Sequence, residues 1–132
     1  MDDEKKSESA MSDEDALSKA MDIYQALLTK QQSILLATVN ADGTPLASYT
    51  PFAVDADKNF YIFVSTLAHH TKNLQRSPHA SLMVIADEIE SMQIFARERL
   101  TFSCQIEELE RESSDWEVAA DLYEARFGNF FK

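Results

Sequence analysis

Residues 34–54 read "ILLATVNADGTPLASYTPFAV", and their pattern decides the fold class. The first six, Ile34–Val39, are apolar apart from one threonine, and half are β-branched. A run this short and this rich in β-branched side chains predicts a buried strand rather than a helix. Asn40–Gly43 is a turn signal. Leu46–Val54 reads as a second strand. Pro51 has no N–H to give a ladder, so it belongs at an edge or a bulge. Two strands joined by a tight turn pair antiparallel, and the rest of the chain extends that plan.

Downstream, Asp55–Asn59 turns the chain into a third strand, Phe60–Val64. "HTKNLQRS" (His70–Ser77) is a short helix that Pro78 ends. Ala80–Ala86 is a fourth strand. In "RLTFSCQIEEL" (Arg99–Leu109), Leu100, Phe102, Cys104 and Ile106 alternate with Thr101, Ser103, Gln105 and Glu107, which predicts a half-exposed antiparallel strand. Upstream, Ser12 caps a helix whose first turn holds Asp13, Glu14 and Asp15. Leu17, Ala20, Met21, Tyr24, Leu27 and Leu28 share one face of it. At the other end, Ser114 with Glu117 forms a capping-box pattern. Trp116, Ala119, Ala120, Tyr123, Phe127 and Phe130 give the closing helix an apolar face that ends near Gly128. Five strands with a helix at each end predict a mainly β, small antiparallel barrel with flanking helices, of α+β type. Its open edges call for a partner subunit or a further strand. Residues 1–11 are polar and charged and read as a flexible acidic tail; residues 12–132 form the domain.

The net charge of −11 is unevenly spread. Residues 1–22 and 103–132 each hold eight acidic and three basic groups, whereas 23–102 hold seven and six. Acidic ends argue against nucleic-acid binding, which needs a positive footprint. There is no apolar stretch fit for a signal peptide or a membrane span, so a cytoplasmic, membrane-free protein is expected. A single cysteine, Cys104, permits no internal disulfide. On the apolar side of its strand, it reads as a core thiol rather than a nucleophile. Two glycines leave no phosphate-binding glycine loop.

Between Asp57 and Asp87 lies no carboxylate. That interval holds all three histidines, His69, His70 and His79, with Lys72 and Arg76. Adjacent histidines in a helical turn point about 100° apart, which argues against one shared metal ion. An anion site is a better match for the residue types. Ser65 and Thr66 end a strand, and His69, His70, Thr71 and Lys72 open a helical turn. Hydroxyls, a helix N-terminus and cationic or imidazole donors suit phosphate or carboxylate. The bland alternative is a solvated basic turn, and the residues alone leave the two balanced. Arg97 and Arg99 form a second basic pair, with an exposed face as the simpler reading. No catalytic residue is legible.

The segments "SILLATVNADGTPLASYTPF", "NFYIFVSTLAHHTKNLQRSPHASLMVI" and "QIFARERLTF" resemble the pyridoxamine 5′-phosphate oxidase-like FMN-binding split barrel. Within it, the chain looks like the haem-utilisation branch. The most specific pieces are "ASYTPF", "LAHHTKNL", "ASLM" and "FARERLTF", and the resemblance covers about residues 12–128. It implies a split β-barrel that dimerises and binds a planar anionic cofactor, haem or FMN, at the subunit interface. In flavin-binding members the turn matching 68–72 holds the FMN phosphate with an Arg–Lys pair, and an arginine stands on the second strand. Here His69 and His70 occupy the first place and Ser48 the second. The haem branch also lacks that arginine and has a histidine matching His70, usually after an arginine that His69 replaces.

In the haem branch a final strand and tail, carrying the iron-ligating histidine and a supporting carboxylate, follow the closing helix. The resemblance places that region beyond Lys132, so the expected barrel lacks its usual final strand. Weak haem binding with little turnover is then expected of these 132 residues. The implied function is haem binding or degradation. An FMN-dependent oxidoreductase and a cofactor-free structural domain are the alternatives.

Overall fold

The structure, a computed structural model, describes residues 12–128. The expected tail over 1–11 and the place of Phe130 on the closing helix lie outside the described residues. The elements are α1 (Asp13–Lys30), β1 (Ser33–Val39), β2 (Pro45–Pro51), β3 (Ala53–Val54), β4 (Phe60–Tyr61), α2 (His69–Arg76), β5 (His79–Ile85), β6 (Arg99–Gln105) and α3 (Ser114–Phe127). Two short 3-10 turns, Glu88–Glu90 and Ile94–Ala96, lie between β5 and β6. Among the described residues no helix is long and apolar enough to cross a membrane.

One antiparallel sheet has the order β2-β1-β5-β6, and β3 pairs with β4 in a second, two-stranded sheet. The sheets do not close on each other, so the barrel is split, as expected. The turn between β1 and β2 forms as read. Gly43 takes φ +87°, a conformation that costs any residue with a Cβ. Asp42 accepts from the Thr44 N–H at 3.0 Å, and the Gly43 N–H donates to the Asn40 carbonyl at 2.9 Å.

The predicted second strand, Leu46–Val54, is in fact two. Phe52 ends the pairing: its N–H donates to the Gln32 carbonyl at 3.2 Å, one step in register beyond the Ser33–Pro51 pair, and its ring is wholly buried. Pro51, which offers no donor, ends β2 on the edge of the larger sheet. The chain therefore turns a corner at Pro51–Phe52 and enters the other sheet as β3. The predicted third strand, Phe60–Val64, keeps only Phe60 and Tyr61. Its remainder is held by α3 instead. The Phe63 N–H donates to the Tyr123 hydroxyl at 2.9 Å, and that hydroxyl donates to the Pro51 carbonyl at 2.5 Å.

The core lies between the larger sheet's inner face, the Phe52 corner and the C-terminal half of α1. It comprises Leu27, Leu28, Ile34, Leu36, Phe52, Ala80, Leu82 and Val84. Phe60, Leu74, Leu100 and Cys104 pack against it, the last with its thiol pushed up in pKa by burial. The apolar face predicted for α1 is only half used: Leu17 and Met21 remain 62% and 55% exposed. The helix begins as predicted, with the Ser12 hydroxyl accepting from Asp15 N–H. Its last carbonyls, of Leu28 and Gln31, are taken by the Arg126 guanidinium from α3. That guanidinium also lies 4.8 Å above the Phe52 ring. The cap of α3 is Ser113, which accepts from Trp116 N–H at 3.2 Å, and not the predicted Ser114.

Among the described residues no element covers the outer face of the larger sheet. Register places Tyr49, Leu35, Met83 and Thr101 in one row across all four strands. The neighbouring row is Ala47, Ala37, Ser81 and Ser103. Tyr49 and Leu35 are 68% and 50% exposed.

Candidate functional site

The carboxylate-free interval folds into α2 and the turn that leads into it. Ser65 builds that turn: its hydroxyl accepts from Leu67 N–H, and its carbonyl accepts from Ala68 N–H and from the buried Thr71 hydroxyl. Ala68 occupies the N-cap and supplies no side-chain oxygen, and the first turn has no acidic residue. Side chains thus leave the leading N–H groups of α2 to solvent or a ligand. Thr66, His69 and Lys72 are exposed around this end.

The other face of α2 is anchored to the sheet. Asn73, buried, donates to Thr38 Oγ1 at 3.0 Å and Asn40 Oδ1 at 2.9 Å. Arg76 donates to Asn73 Oδ1 and to the Val39 carbonyl at 2.7 Å. This network fixes the helix against β1 and the β1–β2 turn. His70 is three residues, about one turn, before Asn73, so it also faces the sheet. Its Nδ1 lies 2.9 Å from Ser48 Oγ on edge strand β2, and that hydroxyl contacts the Leu36 carbonyl at 3.2 Å. Burial lowers the pKa of His70, which favours the neutral ring near pH 7.

Ser65, Thr66, His69, His70, Thr71 and Lys72 are therefore brought together, with two of them used in construction. Arg97 and Arg99 are not part of this cluster within one chain. The Arg97 guanidinium is committed to the Ala86 carbonyl, at 3.0 Å from Nε, and approaches Glu88 at 3.9 Å. Arg99 lies on β6, at the far edge of the sheet from Ser48 on β2. Ser48, Leu36, Leu82 and Phe102 form one cross-strand row, and Arg99 is three residues further along β6. Three strand spacings and three residues put Arg99 roughly 17 Å from Ser48.

A separate cleft of about 550 Å³ opens on the opposite side of α2. Phe60, Ile62, Leu74, Ile106 and Trp116 wall it, and Glu107, Glu108 and Asp115 contribute its charge. Among the described residues no lysine or arginine lines it, and its carboxylates disfavour the anions that the α2 terminus suits. Among the described residues, no three His, Cys, Asp or Glu side chains converge as for a metal ion.

Of the two further contributors, Ser48 is marked only by the family resemblance, at the place of a second-strand arginine, and Asn73 is not marked at all. Ser48 shares the inner face of β2 with Leu46 and Thr50, which signals its direction but not the helix above it. Asn73 carried no signal beyond its place on the helix.

Residues 20–131 match the family model described as Pyridoxamine 5′-phosphate oxidase. Over 100 residues the chain is 42% identical to the haem oxygenase HutZ of Vibrio cholerae, an alignment covering 75% of this chain and 56% of that relative. The chain thus spans little more than half the length of the curated relative it matches. The crystal structure of Vibrio cholerae HutZ, there called a haem storage protein, superposes with a TM-score of 0.77 at 35% identity, over 82% of this chain and 75% of that one. Campylobacter jejuni ChuZ superposes with a TM-score of 0.73 at 25% identity, over 85% of this chain and 46% of its own.

Proposed function

Because the chain belongs to the pyridoxamine 5′-phosphate oxidase family, we propose that it binds haem at the N-terminal end of α2, in a site shared between two copies. The observation that carries this reading is the Ser48–His70 contact at the carboxylate-free end of an uncapped helix. Haem is a planar apolar ring with two carboxylates and an iron that takes a lone pair. The residues here fit that group. Lys72 and the leading N–H groups of α2 suit the carboxylates, and the His70 ring offers a nitrogen lone pair. A flavin phosphate carries about two charges and calls for several cationic contacts. Here β2 presents Ser48 rather than a cation, which favours haem over FMN.

When bound, haem supplies its own redox chemistry. The chain's residues bind and orient it. A shared site accords with the uncovered outer face of the larger sheet, where Tyr49, Leu35 and Met83 form an apolar row. Apolar patches of this kind mark association surfaces. With a second copy packed there, Arg99 of one copy becomes available to a ligand held by the other. HutZ is called both a haem oxygenase and a haem storage protein, and holding haem is the step common to the two.

The test is a titration followed by absorbance, with haem and FMN in separate experiments. Haem should give a Soret band that saturates only with haem in excess over chain, as weak binding requires, and FMN should give no shift of its flavin bands. Lys72→Glu should weaken haem binding by charge reversal, and His70→Ala should weaken it less. Equal affinity of parent and both variants would sink the assignment of this helix end.

A further inference from the structure

We infer that Ser48 is a positioning residue that holds His70 as its Nδ1–H tautomer, leaving Nε2 as an unprotonated lone pair at the end of α2. A serine hydroxyl has one proton and a carbonyl can only accept. Ser48 Oγ contacts two groups at hydrogen-bond distance, the Leu36 carbonyl at 3.2 Å and His70 Nδ1 at 2.9 Å. Only one arrangement satisfies both contacts: the hydroxyl proton goes to Leu36, and the His70 Nδ1–H donates to the serine oxygen. The reverse assignment sets two acceptor oxygens facing each other at 3.2 Å with no proton between them.

The second ring nitrogen then has its lone pair free. Among the described residues Nε2 of His70 has no hydrogen-bond partner, and it is not among the buried unpaired atoms, so it reaches solvent. The ring is also fixed in direction. Asn73 pins α2 to β1 one turn later, and β1 carries the Leu36 carbonyl that orients Ser48. A histidine whose far nitrogen is tied to an oriented oxygen presents its near nitrogen in one tautomer and one direction.

The tautomer is independent of what binds; only the use of Nε2 rests on the haem reading above. The experiment is long-range nitrogen–proton NMR on the full chain, labelled at histidine nitrogen, without ligand at pH 7.5. His70 should show a protonated Nδ1 and a bare Nε2. Ser48→Ala should move it to a mixture dominated by Nε2–H, and Ser48→Thr should restore the parent pattern. His69 and His79 should be unchanged in all three, which also reports that the fold persists. If one molecule in five kept Nε2 bare in Ser48→Ala, haem affinity would fall roughly fivefold, since only that fraction is competent. A parent spectrum with Nε2 protonated and Nδ1 bare overturns the inference without any variant. So does a Ser48→Ala spectrum identical to the parent. The expected tautomer in a protein that ignores haem would instead refute the function and leave this device standing.

Discussion

Removing one oxygen from Tyr123 should loosen the junction between the two sheets. In Tyr123→Phe the ring stays, along with its contacts to Phe63 at 6.5 Å and Phe127 at 5.2 Å. What goes is the hydroxyl that donates to Pro51 and accepts from Phe63 N–H. Each bond is worth about 1 kcal/mol net, and a buried group left unpaired costs about 1–3 kcal/mol. Tyr123 is 6% exposed, but Pro51 and Phe63 lie where water reaches them. Water can therefore replace part of what each loses, which sets the expected cost at roughly 2 kcal/mol. For a chain of this size that is a fall in Tm of roughly 5–10 °C. Urea unfolding should show a lower midpoint at an unchanged slope. Hydrogen exchange supplies the local readout, because the Phe63 amide should exchange faster while β1 and β5 keep their protection. A midpoint within about 0.5 kcal/mol of the parent, together with unaltered Phe63 exchange, would refute the claim that this hydroxyl replaces strand pairing there.

The same phenol gives a pH dependence. Burial raises the pKa of Tyr123, so its contribution is complete below the ordinary tyrosine value near 10 and is lost as pH climbs through the folded value. Unfolding free energy should drop above about pH 10 in the parent and fall less steeply in Tyr123→Phe. Arg126→Met keeps the stem over Phe52 but removes the donors to Leu28 and Gln31, at a cost of about 1.5–3 kcal/mol; amide exchange should rise in the last turn of α1, and Arg126→Lys should recover only part of it. Asn73→Ala leaves buried Thr38 short of a partner and should cost about 1–3 kcal/mol, with the loss of exchange protection centred on α2. Leu35→Glu places a charge amid the outer apolar row; light scattering should give twice the 15.0 kDa chain mass for the parent and the single mass for the variant.

Where local pattern alone decides structure, the sequence was readable. The alternation of Arg99–Gln105 appears as written, with Leu100, Phe102 and Cys104 turned inward. So do the Asn40–Gly43 turn, the Ser12 cap and the stop at Pro78. Legibility failed where a distant residue overrides the pattern. In "LASYTPFAV" Pro51 announces an edge or a bulge, but that the chain crosses there into a second sheet goes with the burial of Phe52, which no local pattern shows. Nothing in "FYIFV" announces that Tyr123, 60 residues on, takes one of its donors. The periodicity of α1 marked Leu17 and Met21 as core, yet periodicity finds a face without saying how much of it is covered. At the site, residue types pointed to the end of α2. The Ser48–His70 contact needs the register of β2 against β1 and the seat of α2, which no local pattern carries.

The bonds made by α3 also set a timetable. Tyr123 reaches back 72 residues to Pro51, and Arg126 reaches back 98 to Leu28. During synthesis at about 5–20 residues per second, the stretch from Pro51 to Tyr123 takes roughly 4–15 s to emerge. For that interval the nascent chain can form α1, the β1–β2 hairpin and later the larger sheet, all by comparatively local steps. The Phe52 corner, however, stays without its lid, and the last carbonyls of α1 stay without Arg126. Closing loops this long comes late, after most of the entropy has already been lost. The ribosome therefore holds an apolar, half-finished corner for seconds. In that window a chaperone, or a second nascent chain, has its best access to Phe52.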